Sequence, residues 1–296
     1  MINRTSLGIA CALCAAGLYG LVPNFGRAAI GNGIPVIEST LFRTFMVAIV
    51  FAIIAAAQGE RMTIPKGALP SFIGQSVATL FVSVAYLGSV QFIPVGLAVI
   101  IFYLFPVLIM VLAPVVEGRN PGVLRILIAI VAFFGLAMAV GPGFDSLDIR
   151  GIALAALGSA GAVLQFFSGR AISRYMPPAA FGSLVHIVIL PPVLLIALYA
   201  GSGTLRFLPG GSATGTGLLF MSGVAIVYII GYMAHMLSLR FAPASTVAPY
   251  YNLEPAVATA TAAVILNERM QINQYAGGVV VLAALVASSV LGKRKQ

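Results

Sequence analysis

Apolar residues run along this chain in long unbroken blocks separated by short polar punctuation. A helix needs roughly 20 predominantly apolar residues to cross the hydrocarbon core of a bilayer. Ten stretches meet that measure, at 6–29, 34–57, 69–90, 94–115, 122–141, 149–172, 178–200, 214–239, 243–265 and 273–291. The connections between them leave no room for a soluble domain. A membrane β-barrel would show alternating segments of about ten residues instead. The pattern therefore predicts an all-α integral membrane protein with ten transmembrane helices.

The blocks also repeat. Gly8-Ile9-Ala10 recurs as Gly151-Ile152-Ala153, Gly26-Arg27-Ala28 as Gly169-Arg170-Ala171, and Pro35 as Pro178, an offset of 143. Further along, Phe92, Pro94 and Pro106 recur as Phe241, Pro243 and Pro255, an offset of 149. The difference fits extra loop residues around 201–211. Each half, 1–145 and 146–296, then holds five helices. Five is odd, so the second unit enters the membrane from the opposite side. Inverted repeats of this kind build secondary transporters, with a site near the midplane where the halves meet.

Charge sets the orientation. Only 8% of residues are charged and 60% are apolar, against about 25% charged in a soluble domain. With the N-terminus inside, Arg27, Arg150, Arg206 and Arg269 face outward, Arg43 lies within a span, and the other lysines and arginines fall on the cytoplasmic side. That asymmetry predicts both termini in the cytoplasm. The net charge of +9 is spread over loops, so it points to no nucleic-acid partner. Its one cluster, Lys293-Arg294-Lys295, would meet the anionic headgroups of the bilayer. Arg4 ahead of the first apolar run resembles a signal peptide, but further spans follow at once and the run is read as a retained first helix. Cys11 and Cys14 lack a second ligand pair and read as small packing residues, so no metal or other cofactor is expected.

Polar and aromatic side chains concentrate in a few spans. Tyr228, Tyr232 and His235 share one helical face. Their repeat counterparts are Thr79, Ser83 and Tyr86, and Gln75 extends that polar stripe by one turn. Phe102 and Tyr103 take the places of Tyr251 and Asn252. With Gln165, and with Asn24 as a further candidate, these residues would line a pocket for an amphipathic solute. The bland reading of each is ordinary interhelical packing. Glu254 is the one carboxylate deep in an apolar span. It reads either as a coupling or ammonium-binding group or as a structural carboxyl beside Pro255. Arg43, the one deep cation, could bind a carboxylate, pair with Glu38 or anchor helix-end carbonyls. His186, its repeat counterpart, reads as a hydrogen-bonded interhelical residue. Pro94, Pro106, Pro243 and Pro255 read as hinges in kinked spans, or simply as shapers of the bundle.

Ten spans in two five-helix repeats, with Leu253-Glu254-Pro255 in the ninth and Asn267-Glu268-Arg269 after it, resemble the EamA-type drug/metabolite transporter superfamily. Leu41-Phe42-Arg43-Thr44 and the run from Phe102 to Pro106 are most similar to the YddG-type exporters of aromatic amino acids. The resemblance implies export of an amino acid across a bacterial inner membrane, without nucleotide hydrolysis. A monomer is the expected form. The first half departs from the pattern: it has Glu117-Gly118-Arg119 in place of Asn267-Glu268-Arg269, and Glu117 stands two residues closer to Pro106 than Glu268 does to Pro255. An enzyme would need a motif that is missing here, H-E-x-x-H, G-x-S-x-G or a phosphate-binding G-x-x-x-x-G-K-[ST]. A passive channel or facilitator, or an exporter of another metabolite or drug, stays open at this point.

Overall fold

The computed structural model describes residues 3–140, 148–265 and 271–293, and every regular element among them is helical. The first half holds α1 (Arg4–Gly31), α2 (Val36–Ala57), α3 (Leu69–Ser89), α4 (Val95–Phe102), α5 (Phe105–Val116) and α6 (Val123–Val140). The second holds α7 (Ile149–Ile172), α8 (Pro178–Ala200), α9 (Gly215–Phe241), α10 (Ala244–Val247), a 3-10 turn (Ala248–Asn252), α11 (Leu253–Ile265) and α12 (Ile272–Lys293). Taking Val95–Val116 as one unit, seven helices among the described residues are long and apolar enough to cross a membrane. Val123–Met138 and Ile272–Ala287 are shorter apolar helices.

Helices of one half pack chiefly on helices of the other. α1 lies on α9, α3 on α7, α2 on α8 and α6 on α12. Under the repeat, α1 corresponds to α7 and α3 to α9, so the first two pairs exchange with each other. Close approach at glycine makes the relationship concrete. A Cβ added at Gly8 would stand 2.6 Å from the Cβ of Ala242, and one at Gly151 would stand 2.8 Å from a methyl of Ile93. These two contacts are repeat mates at opposite ends of the bundle. Only glycine lets the backbones meet there.

The runs 94–115 and 243–265, expected as single kinked spans, are broken helices. α4 stops at Phe102, with Tyr103 as its cap, and α5 restarts with Pro106 in its first turn. In the second half α10 passes into the 3-10 turn, and α11 restarts with Pro255 near its beginning. The physical cause is the same in both. A proline ring collides with the carbonyl four residues earlier, here Phe102 and Tyr251, and supplies no N–H. Pro94 and Pro243 sit outside any helix interior: they are the N-caps of α4 and α10, where a missing N–H costs nothing.

Two first-half carboxylates reach into the second half, at opposite ends of the bundle. Glu38 accepts the backbone N–H groups of Arg206 at 2.8 Å and Phe207 at 3.3 Å. The pair with Arg43, one of the three alternatives for that cation, does not form, because Glu38 turns to the loop that follows α8. Glu117 accepts the N–H groups of Ala244 at 2.7 Å and Ser245 at 3.3 Å, and the Ser245 hydroxyl. These amides open α10 and have no partner within the helix. A carboxylate there also meets the positive end of the local peptide dipoles. The Glu117→Gln substitution should lower stability by about 1.5 kcal/mol, the low end for a charge-assisted bond because Glu117 is half-exposed. The check is the thermal unfolding midpoint of the purified protein, and an unchanged midpoint would show that water replaces the carboxylate.

Candidate functional site

The polar stripe of α3 is buried where α7 and α9 converge. Gln75 accepts the Ser168 hydroxyl at 2.8 Å and donates its amide to the Tyr232 hydroxyl at 3.2 Å. The Thr79 hydroxyl donates to the Gln75 carbonyl at 2.7 Å and accepts the Gln165 amide at 3.0 Å. Gln75, Thr79 and Tyr232 have no solvent exposure. One turn further, Ser83 accepts a hydrogen bond from the Arg43 guanidinium at 3.3 Å and is also a partner of the Tyr228 hydroxyl. Arg43 lies over the Tyr228 ring, 4.2 Å from its centroid, the face-on placement of a cation–π contact.

An aromatic cluster continues from this network. His235 sits against Phe166 at 4.6 Å and Tyr251 at 5.0 Å, with Tyr19 at 6.1 Å. It is buried, and neither ring nitrogen has a hydrogen-bond partner among the described residues. Phe166 meets Phe105, which meets Phe102 and Tyr103, and Phe102 stacks on Tyr86 at 4.3 Å. Tyr103 lies beside the Glu254 carboxyl, with Tyr19, Tyr86 and Tyr251 also near it. Glu254 stands in the first turn of α11, where the helix dipole favours an anion. Tyr19 also contacts Tyr228 at 5.7 Å, so it links the Arg43 side of the cluster to the Glu254 side.

Three predicted residues take more local roles. Asn252 donates to the Pro249 carbonyl at 3.1 Å and closes the 3-10 turn, leaving its buried amide oxygen without a partner. Asn24 ties α1 to α11 through the Ala258 carbonyl at 2.8 Å and the Thr261 hydroxyl at 2.6 Å, apart from the cluster. His186 bonds the Gly182 carbonyl at 2.8 Å and sets its ring edge on Tyr232 at 4.8 Å. Tyr19, Phe105, Phe166 and Ser168 belong to the cluster but were not singled out in the sequence.

Both halves match the sequence model of the EamA-like transporter family, over residues 6–141 and 149–290. The chain belongs to the EamA-like transporter family. It is thus a multi-helix membrane transporter rather than an enzyme. A solved crystal structure shares the fold, with a TM-score of 0.81 over 97% of this chain and 98% of that one, at 14% identity. No curated protein matches the sequence.

In this EamA-like chain the two matched units supply unlike charges to one cluster. Glu254 has Phe105 as its repeat counterpart, and Arg43 has His186. The Asn267-Glu268-Arg269 motif lies outside the described residues, as does all of the C-terminal basic cluster beyond Lys293. The Tyr103→Ala, Tyr251→Ala and His235→Ala variants should each insert normally and lower transport roughly three- to tenfold, the worth of one aromatic contact. Normal transport by all three would remove the cluster as the candidate site.

Proposed function

We propose that this protein is a secondary transporter that exports amino acids with aromatic or other apolar side chains by alternating access. The reading has ten spans in two inverted units, 1–145 and 146–296, with both termini cytoplasmic and the monomer as the working form. Its membrane is a bacterial inner membrane. Gln75, Thr79, Ser83 and Gln165 supply polar contacts, and the rings around His235 supply the apolar wall. Pro106 and Pro255, at the helix restarts, are the hinge candidates, with Pro94 and Pro243 at the preceding caps.

One observation carries this reading: a deep cation and a deep carboxyl serve the same aromatic cluster. Arg43 meets a hydroxyl and a ring rather than a carboxylate, and Glu254 lies beside Tyr103. An amino acid brings a carboxylate, an ammonium and an apolar side chain. The planar guanidinium fits the first, the carboxyl the second, and the rings the third. Selectivity among apolar side chains would be broad, since a methylene changes binding by only ~1–3 kcal/mol.

Uptake of labelled phenylalanine into proteoliposomes tests the reading directly. Saturable uptake, blocked by apolar amino acids and not by nucleotide sugars or cationic drugs, is the expected result. Flux that does not saturate would indicate a pore, and no uptake in active vesicles would return the substrate to another class. In the same vesicles the Glu254→Gln protein should fold and lose the pH dependence of transport. Wild-type pH dependence in that variant would exclude Glu254 as the coupling group.

A further inference from the structure

Away from the aromatic cluster, α1, α2 and α9 enclose a groove of about 490 Å3. Its walls include Cys11 and Cys14 of α1, Phe51 and Ile54 of α2, and Ile230 and Met233 of α9. Apart from the two thiols the lining is hydrocarbon, sulfide or phenyl ring. Such walls favour an apolar occupant and offer nothing to orient a polar one.

The helical phase shows what stands at its mouth. Arg4 precedes Cys11 by seven residues, and Arg240 follows Met233 by seven. Seven residues are about two turns, so each arginine continues the helix face that lines the groove. α1 and α9 run antiparallel here, with Gly8 against Ala242, so both arginines lie at the same end of the bundle. Both are exposed, as is Arg61 just beyond α2. Glu60 is the acidic residue within range of Arg240, and the mouth keeps an excess of positive charge. Along α9 the groove lining runs from Leu237 to Ile229, eight residues, or about 12 Å of helix, and Arg240 stands about one turn beyond it. One leaflet contributes about 15 Å of hydrocarbon.

We infer that an anionic phospholipid of the leaflet at the α1 N-terminal end lays one acyl chain in this groove and sets its phosphate between Arg4 and Arg240. With both termini cytoplasmic, that leaflet is the inner one. The floor of the groove touches the transport site. Phe51 is fully buried and contacts Tyr232 at 6.0 Å. The lipid therefore braces the helix that carries Tyr228, Tyr232 and His235.

The chain has no tryptophan, so an Ile230→Trp variant of the full protein carries a single fluorescent reporter on the groove wall. The probes are vesicles of phosphatidylcholine containing either phosphatidylglycerol or phosphatidylcholine brominated on the acyl chains. Brominated phosphatidylglycerol should quench at a lower mole fraction than brominated phosphatidylcholine. Substituting Arg4→Gln and Arg240→Gln should raise its half-quenching fraction about fivefold for each arginine removed. A Val131→Trp protein, with its reporter on α6, should be quenched equally by both lipids. Added salt screens the same attraction without any substitution, so the preference should shrink with ionic strength even if the double variant folds poorly. Equal quenching by both lipids at the groove would overturn the inference. So would a preference that survives both salt and the arginine substitutions, or one that appears equally at Val131.

Discussion

Inside a bilayer no water is available to a broken backbone, so every interruption of a helix must be covered by protein. That constraint decides where this chain can afford to be irregular. The interruption across Ala248–Asn252 is buried, against α1 and α5, and at the other the Tyr103 side chain is buried while Leu104 faces outward. Side chains then attend to the freed or terminal carbonyls. Asn252 serves Pro249, Ser238 serves His235, and Arg170 donates to the Leu239 and Arg240 carbonyls at the end of α9. The residues flanking the two breaks, Phe102, Tyr103, Tyr250 and Tyr251, are aromatic and buried. Backbone irregularity, aromatic packing and the candidate site thus coincide because one requirement puts them in the same place.

The helical class and the paired halves were legible from hydrophobic run length and from repeated glycine and proline. Run length cannot show a break within a run. The stretches 94–115 and 243–265 are each long enough for one span, and Pro106, Pro249 and Pro255 mark where the hydrogen-bond ladder fails. Pro94 and Pro243 cap α4 and α10, since a helix start tolerates proline. The Glu38–Arg43 pair does not form. Proximity along one helix said nothing of the amides at Arg206 and Phe207, which need an acceptor and lie far away in sequence.

Much of the cluster could be read because polar groups are rare in apolar spans and therefore conspicuous. Gln75, Thr79, Gln165 and Tyr232 stood out on that ground and meet in space. Phe105 and Phe166 did not stand out, since phenylalanine belongs in any membrane helix and only the convergence of α5, α7 and α9 distinguishes them. Tyr19 was hidden likewise, although it connects the two charged ends. Ser168 sits one turn from Gln165 and could have been found by following that face of α7.

The cross-packing of the halves also bears on how the chain comes to be folded. α1 and α3 find their principal neighbours in α9 and α7, and contacts among α1, α2 and α3 themselves are sparse. A ribosome delivers the first half before the second exists. During that interval the glycine faces at Gly8 and Gly20, which end against Ala242 and Val257, have only lipid to lie against. The first half alone is then a set of inserted helices rather than a folding unit. Its tertiary structure waits for the last helices to emerge.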